Sequence, residues 1–101
     1  MSDKRKSVHP GEILLQEFLI PLGISQNRLA LDIHVPPRRI NEIVLGKRGI
    51  SANTALRLGK YFCISPKFWL GLQMDYELDV AEDELAKEID VVRECKATTS
   101  S

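Results

Sequence analysis

The apolar residues recur three and four positions apart, and the runs are cut by Pro, Gly and Ser. That period belongs to helices with one buried face. No stretch of alternating β-branched residues is long enough to argue for a sheet. Ile13, Leu14, Phe18 and Leu19 form the first stripe, on a helix opened near Pro10 and Gly11 and closed by Pro21 and Gly23. Ser25 is suited to cap a second helix, Gln26 to Ile33, with Leu29, Ala30 and Ile33 inside. His34 falls at a tight turn, and histidine is among the non-glycine residues enriched at positive φ. Val35 then plugs inward.

Pro36 and Pro37 open a third helix, because the first-turn N–H groups lack helical partners anyway. Its inner face is Ile40, Ile43 and Val44, and its outer face is Arg38, Arg39, Asn41 and Glu42. Gly46 is placed as its left-handed cap. Ser51 caps a fourth helix carrying Ala55, Leu58, Gly59 and Phe62. Ser65, with Pro66 just inside, starts a fifth bearing Phe68, Trp69, Leu72 and Tyr76. A separate last helix is expected near Val80 to Val92, with Leu85, Ile89 and Val92 inside. The expected class is all-α, a bundle of five helices plus a C-terminal helix. The organisation expected is a flexible segment over 1–8, a domain over 9–78, the last helix over 79–94 and a disordered tail over 95–101.

Composition agrees with a globular chain of 101 residues, 44% hydrophobic and 28% charged. With 6% aromatic residues, the core is mostly aliphatic. Residues Met1 to Pro10 contain no apolar run of the signal-peptide kind, and no apolar stretch reaches membrane-spanning length, so a cytoplasmic protein is expected. The net charge of zero hides a gradient. Through Lys60 there are ten Lys/Arg against five Asp/Glu; from Tyr61 onward there are four against nine. A basic front and an acidic back suit a protein that meets a polyanion with one face.

The chemistry therefore centres on residues 25–48, two short helices joined by a tight turn. A helix fits the DNA major groove, where its outward side chains reach base edges. Arg38 can fork onto guanine, and Arg39 can do the same or hold a phosphate. Asn41 can pair with adenine or bond the backbone. Glu42 can accept from cytosine, although pairing with a neighbouring arginine is the plainer role. Gln26 can bond a phosphate or buttress the third helix. Lys47 and Arg48 follow the cap as phosphate clamps. Ser51 can add a phosphate contact, though capping alone explains it.

Other candidates carry less. Cys63 reads as a small core residue and Cys95 as a free thiol, with no metal-ligand spacing between them. His9 and His34 have no ligand or triad partner at a suitable spacing. Neither a catalytic constellation nor a metal or other cofactor site is expected, and the chain does not read as an enzyme. Trp69, Phe68 and Tyr76 read as core. A helix-turn-helix protein gains affinity and symmetry by pairing, so a homodimer is expected, with Leu70, Met74 and Tyr76 as interface candidates or as the edge of the monomer core.

Several phrases also match a known family in order: His9-Pro10-Gly11-Glu12-Ile13-Leu14, Pro36-Pro37-Arg38-Arg39-Ile40-Asn41-Glu42-Ile43, Gly46-Lys47-Arg48-Gly49-Ile50-Ser51, Thr54-Ala55-Leu56-Arg57-Leu58 and Ser65-Pro66-Lys67-Phe68-Trp69-Leu70-Gly71-Leu72-Gln73. The chain resembles the HigA-type antitoxins, also called virulence-associated protein I, within the Xre-type, lambda-repressor-like helix-turn-helix class. The resemblance spans about His9 to Tyr76. It implies a homodimer on a palindromic operator that represses its own operon, and a HigB-type mRNA-cleaving toxin as partner. It also implies base contacts from Pro37, Arg38, Arg39, Asn41 and Glu42, and phosphate contacts from Gln26, Lys47 and Arg48. His34 departs from the family's usual glycine at the turn. Two alternatives remain open at this point: a solitary Xre-type regulator, or a toxin-sequestering module without DNA binding, the latter motivated by the acidic rear half.

Overall fold

The computed structural model describes residues 8–95, and every regular element within them is helical. The expected flexible segment and tail fall largely on 1–7 and 96–101, outside the described residues. Helix α1 covers 10–22. His9 caps it, its Nδ1 accepting from the Gly11 N–H at 2.9 Å. Its middle, Leu14–Leu19, is π-helical. The physical reason is Pro21, which has no N–H to donate and whose ring would crowd the carbonyl one turn back. Widening the turn before the proline absorbs both defects. Gly23, at φ 68°, ends the helix in the left-handed region.

Helix α2 is Gln26–Ile33, capped by Ser25 Oγ, which accepts from the Arg28 N–H at 2.9 Å. His34 takes φ 63° at its end, as its place in the turn predicts. Helix α3 is Pro37–Val44. Helix α4, Ala52–Phe62, is capped by Ser51. Helix α5 is Pro66–Glu84, and α6 is Ala86–Asp90. The break expected before residue 80 is absent. Between Leu72 and Glu84 there is neither Gly nor Pro, so nothing stops α5 until Leu85.

The core gathers Leu14, Leu19, Leu29, Ile40, Ile43, Leu58 and Trp69, all essentially inaccessible. Ala30, Ile33, Val35, Ile50 and Ala55 complete it. Phe18, Phe62 and Phe68 surround Trp69 with ring centroids 4.9 to 5.8 Å from it, so the aromatic residues form one cluster at the α1–α4–α5 junction. Phe68 lies at its rim and stays partly exposed. Two close approaches fix the helix positions. A Cβ on Gly11 would lie 1.8 Å from the Ile43 carbonyl oxygen, so α1 touches α3 backbone to backbone. A Cβ on Gly59 would lie 2.7 Å from the Ile64 carbonyl oxygen, where α4 turns into α5.

Cys63 is not a core residue. It is exposed at the end of α4 with φ 59°, filling the left-handed position that glycine usually takes there. The apolar face of α4 has already ended at Phe62, so the cysteine side chain is turned out by the cap itself.

Candidate nucleic-acid interface

Helix α3 presents its polar face outward because Ile40 and Ile43 hold the opposite face in the core. Pro37 and Arg38 are exposed, and the Arg38 side chain is 82% accessible. Arg39 and Asn41 are half-buried at the flanks of that face. The residues expected to read bases thus share one surface, and neither arginine turns toward the acidic C-terminal half.

Each flank is locked by a different partner. Asn41 Nδ2 donates to Gln26 Oε1 at 2.7 Å, joining the third helix to the first turn of α2. Of the two roles open to Gln26, this hydrogen bond is the buttress. On the other side, Arg39 Nη1 donates to Asn53 Oδ1 at 3.1 Å. Arg57 Nε donates to the same oxygen at 2.9 Å, and its Nη1 donates to the Ile33 carbonyl at 2.8 Å. Asn53, Arg57 and Gln73 were not singled out by sequence reasoning. Arg39, the Ile33 carbonyl and the Ile50 N–H, their partners beyond their own helices, lie 14 to 24 positions away in sequence.

Glu42 sits between two arginines. Arg48 Nε donates to its Oε1 at 3.0 Å, and Arg38 Nε lies 3.4 Å from its Oε2. The carboxylate is thus engaged in pairing, the plainer of its two roles. The loop after α3 is folded back onto the helix. Gly46, at φ 80°, donates to the Ile43 carbonyl, and Lys47 and Arg48 N–H both point at the Glu42 carbonyl, at 2.8 and 3.2 Å. Lys47 and Arg48 are therefore exposed but held beside the outer face of α3. Gln73 of α5 anchors the far end of the loop, its Oε1 accepting from the Ile50 N–H at 2.8 Å. Ser51 Oγ accepts from the Thr54 N–H at 3.3 Å, so its observed role is the cap of α4.

Away from this face, Arg28 forks onto Asp32 at 2.6 and 3.1 Å, and Tyr61 O–H donates to the same carboxylate at 2.9 Å. The Arg28 and Tyr61 hydrogen bonds hold the Asp32 carboxyl below its usual range. Burial pushes the His9 imidazole below its ordinary value, and its ring meets Tyr76 edge-on at 4.9 Å. Tyr76 and Leu70 are half-buried against the body of the protein, whereas Met74 is exposed. Among the described residues no three His, Cys, Asp or Glu gather in a metal-binding group, and no helix is long and apolar enough to cross a membrane.

The helix-turn-helix family model matches residues 15–69. Virulence-associated protein I of Dichelobacter nodosus is 51% identical over 78 residues, 77% of this chain and 72% of that protein. The structure of the Pseudomonas aeruginosa antitoxin HigA with the higBA promoter superposes with a TM-score of 0.85 at 43% identity, covering 90% of this chain and 99% of that one. An addiction-module antidote protein of the HigA family from Coxiella burnetii gives 0.85 at 39% identity, covering 90% and 100%. With the turn at His34 set between α2 and an outward-facing α3, the chain belongs to the helix-turn-helix family, among its HigA-type and virulence-associated protein I members.

Proposed function

We propose that this chain is a sequence-specific DNA-binding antitoxin that represses its own operon and neutralises a HigB-type toxin. One observation carries the DNA half: the outer face of α3 places Pro37, Arg38, Arg39 and Asn41 together on a helix braced from both flanks. Arg38 and Arg39 supply forked donors for guanine, Asn41 an amide for the groove or backbone, and Glu42 a carboxylate that tempers two arginines. Lys47, Arg48 and the Gln26 end of α2 grip phosphates on either side. The Pseudomonas relative's promoter complex supports this reading.

The protein acts as a homodimer on a palindromic site, two copies of α3 lying about one DNA turn apart, roughly 34 Å. Met74 and Leu78 on α5, Leu85 at the break and Ile89 on α6 support this, since all are exposed apolar residues. Leu70 and Tyr76 are half-buried and also complete the monomer. The same acidic half, rich in Asp and Glu, suits a basic toxin. Such a protein works in the cytoplasm and needs no cofactor and no catalytic group.

The test is a gel shift on the duplex upstream of the gene, comparing the wild type with an Arg38→Ala, Arg39→Ala double variant. The reading predicts that the double variant loses selective binding. Unchanged binding would show that α3 does not read the site. Toxin neutralisation is tested by co-purification with the product of the neighbouring reading frame; failure of that product to bind leaves a solitary regulator.

A further inference from the structure

We infer that Asn53 and Arg57 are positioning residues for DNA specificity, acting through Arg39; the inference rests on the DNA-reading role of α3. Asn53 Oδ1 accepts from two guanidinium groups at once, Arg39 Nη1 at 3.1 Å and Arg57 Nε at 2.9 Å. Arg57 is fixed in turn by the Ile33 carbonyl at 2.8 Å, with the His34 carbonyl 3.4 Å away. The chain of contacts therefore runs from the turn of the helix-turn-helix, through α4, to the reading helix.

Two features separate this arrangement from a chance surface contact. Among the described residues, Arg39 and Arg57 have no carboxylate partner, whereas Arg38 and Arg48 share Glu42. Two like charges converge on a neutral oxygen, an arrangement that costs repulsion and is not how surface arginines ordinarily reduce their energy. In addition, the anchor is backbone. Arg57 grips the carbonyls that end α2, so the position of Asn53 is tied to the turn that sets the angle between α2 and α3.

The consequence is entropic. A free arginine samples many rotamers and must surrender them to fork onto a base. Arg39 is already held by one Nη1 hydrogen bond, which leaves Nε and Nη2 for DNA. Pre-organisation of this kind favours the cognate site, where geometry matters, over arbitrary duplex, where charge suffices. Arg38, almost fully accessible, has no such brace beyond Glu42.

The experiment is a double-mutant cycle on the full-length chain, with the upstream duplex and a scrambled duplex of equal length as probes. Asn53 is exposed, so Asn53→Ala folds, and a melting curve verifies this. Asn53→Ala is expected to weaken binding to the upstream duplex about tenfold and to leave the scrambled duplex and the salt slope unchanged. In an Arg39→Ala background the same substitution has no further effect. Arg57→Lys cannot serve Asn53 and the Ile33 carbonyl together, so it gives a smaller loss that also vanishes without Arg39. Equal losses on both duplexes with a shallower salt slope would make Asn53 a phosphate contact and overturn the inference. So would multiplicative losses for Asn53→Ala and Arg39→Ala. A wild-type chain that fails to distinguish the two duplexes overturns the DNA reading itself, and this inference with it.

Discussion

Gly11→Ala fills a contact in which α1 and α3 meet without side chains between them. The added methyl would sit 1.8 Å from the Ile43 carbonyl oxygen and 2.6 Å from its carbon, against a floor of 3.0 Å for real Cβ contacts. The helices must separate by more than 1 Å, and both obstacles are backbone, which cannot swing aside as a side chain does. Overpacking a core costs about 1–3 kcal/mol, and a backbone obstacle places this change at roughly the upper end. For a domain of this size about 3 kcal/mol lowers the melting temperature by roughly 12–24 °C. Gly71→Ala is the control. It lies within α5 with no atom within 4 Å of a new Cβ, so the gain in helix propensity, about 1 kcal/mol, raises the melting temperature by roughly 4–8 °C. Scanning calorimetry on the two variants reads both effects. Because α3 moves with α1, Gly11→Ala also weakens binding to the upstream duplex at temperatures where it remains folded. A Gly11→Ala melting temperature within a few degrees of the wild type would refute the packing account.

Three further outcomes follow from the same structure. Glu42→Gln frees Arg38 and Arg48 from their shared carboxylate, so the slope of log affinity against log salt steepens by about 0.9 per protomer, roughly a 3.5-fold larger loss between 50 and 200 mM salt; fluorescence anisotropy with unrelated duplex measures it, and an unchanged slope would remove Glu42 from the interface. Burial lowers the His9 pKa and its Nδ1 accepts the Gly11 N–H, so the unfolded chain binds a proton more readily than the folded one. Its contribution to stability is complete above the ordinary value of 6.5 and declines as pH falls below it, so the melting temperature drops from there toward pH 5, and His9→Asn flattens that part of the profile. Leu78→Glu places a charge in the exposed apolar row of α5 and α6, and sedimentation should show the dimer shifting to monomer with operator affinity falling alongside; a variant that stays dimeric would place the interface elsewhere.

The caps and the faces of the first four helices were legible because they are local, whereas Leu85, Ile89 and Val92, expected inside on the last helix, are exposed. Ser25, Ser51 and Ser65 announce their helices by side-chain geometry alone, and the 3.6-residue period separates Ile40 and Ile43 from Arg38 and Arg39. His34 at positive φ followed from its place in the turn. What escaped is non-local or contrary to propensity. The π-helical stretch depends on how one proline is accommodated within a packed helix. Cys63 takes a conformation that its residue type does not advertise, so an apolar period carried one residue too far placed it inside. The continuity of α5 reflects the absence of a breaker, a weaker signal than the presence of one. The Asn53–Arg57 pair has ordinary i,i+4 spacing, but the Arg39–Asn53 contact and the Gln73 anchor join residues 14 and 23 positions apart, and no spacing rule encodes them.

The central claim is that α3 reads base edges from the major groove, and base analogues in the upstream duplex test it without altering the protein. Replacing purines by their 7-deaza forms deletes the N7 acceptor that forked arginines and amides use, while replacing guanine by inosine removes the N2 amino group, with its minor-groove donor and one pairing hydrogen bond, and leaves the major-groove edge intact. The account predicts that the 7-deaza duplex binds at least about fivefold more weakly and that the inosine duplex binds as before. Loss of binding with inosine and none with 7-deaza purines would contradict it.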